Sequence, residues 1–71
     1  MGWIKHDIQI DFPLPKIALN LIADLEEMDR NEDYAYYNFA EALDCLAKEM
    51  YVQGDITKAQ WDLLCQKYDG L

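Results

Sequence analysis

Few residues in this chain could carry out chemistry, and their types and spacing narrow what that chemistry would be. There is one histidine, His6, one threonine, Thr57, and no serine, so a Ser-His-Asp relay cannot be assembled. A Cys-His pair would have to bring His6 to Cys45 or Cys65, where an adjacent imidazole would take the thiol proton and release a nucleophile. Cys65 falls on the apolar stripe of the C-terminal helix, where a thiol packs as a small hydrophobe. Cys45 falls off the stripe of the middle helix, where it would be partly exposed, and His6 lies on the apolar side of the N-terminal segment, as a packed edge residue would. The two cysteines are twenty positions apart and lack the short paired spacing of zinc or redox sites, so both are expected to be reduced thiols in the cytoplasm.

The carboxylates are the other chemical group. Asp24 to Asp33 holds six acids and the chain's single arginine, Arg30, with Asp24 and Glu27 one helical turn apart. A calcium loop needs alternating oxygen ligands and a glycine at its sharp turn, and no glycine occurs between Gly2 and Gly54. A di-metal bundle needs inward Glu-x-x-His motifs, which this chain lacks. The acidic run therefore reads as a solvated face. No catalytic residue, no metal ligand and no cofactor site is expected, and the chain is read as non-enzymatic.

The supports of those residues are set first by length: 71 residues make one domain, and a chain of this size buries only about 60% of its unfolded surface. Hydrophobic residues make up 52% of it, well above what a disordered tail carries, so a packed core is expected. The net charge of −8 would repel a phosphate backbone or an anionic bilayer. Direct nucleic-acid binding and membrane binding are disfavoured, and no apolar run approaches the roughly 18 residues of a membrane span.

The expected fold is mainly α, a single three-helix domain over residues 1–71 with an N-terminal arm over 1–13. Ile4, His6, Ile8, Ile10 and Phe12 alternate with Trp3, Lys5, Asp7, Gln9 and Asp11, the period of an extended or β segment over about 4–12. Pro13 and Pro15 stop it, and Pro15 suits the first position of a helix running to about Asp29. That helix carries Leu14, Ala18, Leu21, Leu25 and Met28 on one face, flanked by Ile17 and Ile22. Asn31 or Asp33 can cap a second helix over about 32–53, with Tyr36, Phe39, Ala40, Leu43, Leu46, Ala47 and Met50 on its stripe. Gly54 supplies the left-handed residue that ends it. Thr57 and Gln60 form a capping box for a third helix over about 57–69, and Ile56 can staple against Trp61. Trp61, Leu64, Cys65 and Tyr68 form its apolar stripe, Gly70 can end it, and the short loop favours antiparallel packing on the second helix.

Leu43-Asp-Cys-Leu-Ala-Lys, then Gly54-Asp-Ile-Thr, then Trp61 and a terminal Leu resemble the short SHOCT domain, a helix, a Gly-x-Ile-Thr turn and a second helix. The resemblance covers about thirty residues and implies an oligomerisation or protein-binding role with no catalytic residues. In general character the chain is also similar to small acidic proteins of phages and conjugative elements of Gram-positive bacteria.

Two features bear on partners. Tyr34, Tyr36 and Tyr37 open the second helix, with Tyr51 and Tyr68 at the far end of the hairpin, and only Tyr36 is needed by the core stripe. Surplus amphipathic aromatics either thicken a thin core or form a binding patch. The segment over 4–12 has no second strand to pair with, so it lies extended across the helices, pairs with its twin in a homodimer, or adds to a partner's sheet. The functional expectation is a protein-protein interaction module docking through Trp3, Ile8, Ile10, Tyr34, Tyr37 and Tyr51 on an unidentified protein, and self-associating if the strand pairs. The alternative is an acidic decoy, encoded by a phage or mobile element, whose carboxylates imitate a nucleic acid and block a DNA- or RNA-binding protein.

Overall fold

In the computed structural model, which describes residues 2–68, three helices follow an irregular arm: α1 (Lys16–Asn31), α2 (Tyr36–Val52) and α3 (Lys58–Tyr68). Helix α2 packs against both α1 and α3. Its buried residues Tyr36, Ala40, Leu43, Ala47 and Met50 recur at spacings of four and three, which places them on one broad stripe. They meet Ala18, Ile22 and Leu25 of α1 and Leu64 and Tyr68 of α3 in a single core cluster. Ile17, expected beside the α1 stripe, points outward and is 61% exposed, and Phe39 sits at the exposed edge of α2.

The α2–α3 junction follows its local signals. Gly54 takes a φ of 84°, and its amide and that of Asp55 donate to the carbonyls of Tyr51 and Met50 at 3.0 and 2.8 Å. These are the paired bonds that close a helix around a left-handed residue. Three residues later both halves of the capping box form: the Thr57 amide donates to Gln60 Oε1 at 2.9 Å and the Gln60 amide to Thr57 Oγ1 at 3.1 Å. Ile56 is buried, and Trp61 packs against the same cluster. The α3 helix ends at Tyr68 within the described residues. The expected contributions of Asp69, Gly70 and Leu71 lie outside them.

The α1–α2 junction departs from expectation. The α1 helix runs two residues past Asp29, and Glu32, at a φ of 54°, takes the left-handed position that glycine usually fills. The Asp33 amide then reaches back to the Met28 carbonyl at 2.9 Å, and the Asp33 carboxylate accepts from the Ala35 amide at 3.0 Å. Asp33 thus orders the turn before the helix and does not cap it, which delays α2 to Tyr36.

No strand forms among the described residues. The arm turns at Lys5–Ile8, where the Ile8 amide donates to the Lys5 carbonyl at 3.2 Å, and then crosses the helices without a ladder. Period-two burial survives this, since Ile4 is buried and Ile8, Ile10, Phe12 and Leu14 are half-buried while Lys5, Asp7, Gln9 and Asp11 are exposed. The turn has two local consequences: His6, expected on the apolar side, is expelled to 71% side-chain exposure, and Trp3, expected outside, packs against the core.

The arm's polar backbone is satisfied by the helices. The Lys5 amide donates to the Lys67 carbonyl at 3.0 Å, Lys67 Nζ donates to the Ile8 carbonyl at 2.7 Å, and the Trp3 amide donates to the buried carboxylate of Asp29. The first of these fills a carbonyl in the last turn of α3, which has no partner within its own helix. The arm is thus tied to α3 at one point and to the end of α1 at another.

Candidate interaction site

Trp3 is the centre of an aromatic cluster at the start of α2. Its ring stacks on Tyr36 with centroids 4.9 Å apart, makes an edge contact with Tyr37 at 5.4 Å and tilts against Tyr34 at 5.8 Å. Such offset and edge contacts each add about 0.5–1.5 kcal/mol beyond burial. Only Tyr36 disappears into the core, where its hydroxyl donates to the Tyr68 carbonyl at 2.6 Å. Tyr37 is partly exposed, and Tyr34 leaves 76% of its surface in solvent. Trp3 therefore holds two tyrosines on an outer face.

Tyr37 also belongs to a cleft of about 370 Å³ between α2 and α3. Buried Ala40, Leu43, Leu64 and Tyr68 form its floor, and exposed Tyr37, Glu41 and Asp44 form its rim with half-buried Cys65. The Asp44 Oδ1 accepts from Trp61 Nε1 at 3.0 Å and from Cys65 Sγ at 2.9 Å. Hydrogen bonds from Cys65 and Trp61 hold the Asp44 carboxyl below the usual aspartate range, with Lys48 adding to the effect and partial burial opposing it. On the floor, burial pushes the Tyr68 phenol above its ordinary range, with the Glu26 carboxylate reinforcing the shift.

The residues expected to dock a partner are thus divided among three places. Trp3, Tyr34 and Tyr37 come together at the start of α2. Ile8 and Ile10 lie half-buried along the arm, with Ile10 packed against the core. Tyr51 sits apart, against Trp61 at 5.4 Å. Cys65 is not simply a packed hydrophobe, since it donates to Asp44. His6 is 3.9 Å from Asp29. Asp29, counted with the solvated acids, is buried and anchors the arm.

Sequence reasoning missed the Asp44–Trp61–Cys65 arrangement. Its members lie on facing helices, and only Asp44 at the polar edge of the α2 stripe hints at it. Among the described residues, no three histidine, cysteine or acidic side chains gather as a metal site, and no helix is long and apolar enough to cross a membrane. No protein-family model, curated protein or solved structure matches this chain.

Proposed function

We propose that this protein is a non-enzymatic protein-protein interaction module that docks a partner on the face formed by Trp3, Tyr34 and Tyr37. The observation that carries this reading is the pair of tyrosines held outward on Trp3 beside an apolar cleft, with Tyr34 three-quarters exposed at 76%. A thin core has no need of a ring that it leaves in solvent, whereas rigid amphipathic rings are the usual anchors of interfaces. The arm's bonds to Lys67 and Asp29 favour an arm folded on its own helices over one exchanged between copies.

The second reading, an acidic decoy for a nucleic-acid-binding protein, draws on the net charge of −8. Salt and the tyrosines separate the two. Partners captured from the native host by the wild-type chain and by Tyr34→Ser/Tyr37→Ser would be compared at 50 and 500 mM salt. The module predicts a protein retained at high salt and lost with the double variant. A bound set released by salt and indifferent to the tyrosines would favour the decoy, since charge contacts are screened and apolar contacts are not.

A further inference from the structure

The cleft between α2 and α3 combines two kinds of surface that call for one kind of occupant. Its floor of Ala40, Leu43, Leu64 and the Tyr68 ring is apolar, and a volume of about 370 Å³ lies within the range of built ligand clefts, about 300–1,000 Å³. Among the described residues, the charged side chains that line it are Glu41 and Asp44, with Lys48 near Asp44 and Lys67 over the Tyr68 ring at 5.7 Å. The two acids are three positions apart on α2, so their side chains rise from the same face one turn apart. Among the described residues both donors to Asp44 reach Oδ1 and not Oδ2. From Tyr37 to Asp44 the cleft follows about 10 Å of helix at 1.5 Å per residue, enough for two turns of a docked helix or a few extended residues.

We propose, resting on the interaction reading above, that this cleft takes a short amphipathic segment of another protein carrying an apolar anchor and, within one turn of it, an arginine or lysine. The anchor fills the floor between Leu43 and Leu64, and the cation sits between Glu41 and Asp44. Arginine suits the pair better than lysine because its planar fork can donate to both carboxylates. An aspartate is ionised at neutral pH without help, so the Asp44 charge is present there. Tyr37 joins the cleft to the aromatic face, so a single partner can engage both. A second copy of the chain fits less well, since each copy carries a charge of −8 and like charges oppose association.

A displayed library of random twelve-residue peptides, selected against the intact protein in 150 mM salt, tests this directly. The expected outcome is enrichment of peptides pairing a Leu, Phe or Met with an Arg or Lys within four positions. Synthetic versions should bind at least tenfold more weakly to Glu41→Lys, an exposed substitution whose unchanged melting curve would show an intact fold. Amide shifts on binding should centre on the cleft from Tyr37 to Asp44 and from Leu64 to Tyr68. No enrichment, peptides without a basic residue, or affinities indifferent to Glu41→Lys would overturn the proposal. Purely basic peptides with steep salt dependence would also overturn it and favour the decoy, and peptides matching this chain's own sequence would replace the foreign partner with a second copy. Host partners lost with Tyr34→Ser/Tyr37→Ser but unaffected by Glu41→Lys would leave the interaction module standing and remove only the cleft assignment.

Discussion

Tyr36→Phe removes one oxygen atom and tests the tie between the start of α2 and the end of α3. The ring of Tyr36 is fully buried, and its hydroxyl donates at 2.6 Å to the carbonyl of Tyr68. That carbonyl lies in the last turn of α3 and has no intrahelical partner of its own. Phenylalanine keeps the ring and its 4.9 Å stack on Trp3, so packing is retained while a buried acceptor loses its donor. An unsatisfied buried acceptor costs about 1–3 kcal/mol, and the easier burial of a phenyl ring returns part of it, giving a net loss of about 1–2 kcal/mol. For a domain of this size each kcal/mol lowers the melting temperature by roughly 4–8 °C. Helix ellipticity followed against temperature and urea should therefore show a fall of roughly 4–16 °C with an unchanged urea slope. A melting temperature within about 2 °C of wild type would refute the reasoning, because the clamp between the start of α2 and the end of α3 would then contribute nothing.

Three further outcomes follow from other parts of the molecule. Gly54→Ala should cost about 1 kcal/mol through the left-handed backbone alone, since no atom lies within 4 Å of an added Cβ. Gly54→Asn should cost less, and equal urea midpoints for all three chains would contradict this. Ile8→Asp/Ile10→Asp should lower stability by about 2 kcal/mol, because charges replace half-buried side chains on the arm. Light scattering should meanwhile report one 8.3 kDa chain for the wild type across concentration, whereas a stable dimer abolished by the two charges would reinstate a shared strand. The Asp44 carboxyl is depressed in the folded state, so its contribution is present above the usual aspartate pKa of about 3.9 and lost as pH falls through its lower folded value. The stability difference between wild type and Asp44→Asn should therefore be larger at pH 6 than at pH 2, by less than about 1 kcal/mol for so exposed a group. A difference independent of pH would count against the Trp61 and Cys65 hydrogen bonds.

The parts of the fold legible in the residues are those encoded over four or five positions. Gly54, Ile56, Thr57 and Gln60 each occupy the conformation or contact that their types favour, so the α2–α3 junction could be read directly. The α1–α2 junction could not, because its left-handed residue is a glutamate, a type that seldom adopts that conformation without tertiary support. Asn31 and Asp33 are good capping types and drew the expected start of α2 four residues too early. The arm's alternation was real as burial but not as a ladder: an irregular chain lying over a groove also buries every second side chain. A single turn at Lys5–Ile8 moved His6 out and Trp3 in. The tyrosine-rich start of α2 was visible as composition. Its link to Trp3, and the pairing of Asp44 with Cys65, depend on how elements distant in the chain pack together, which no local pattern records.

Site-specific photo-cross-linking tests the central claim most directly. A photoreactive phenylalanine analogue would replace Tyr34, Tyr37 or, as a control at the opposite end of α2, exposed Gln53. In the native host, Tyr34 and Tyr37 should each yield the same discrete protein adduct and Gln53 none. Adducts of equal yield from all three positions, or from Gln53 alone, would contradict a docking face at the start of α2.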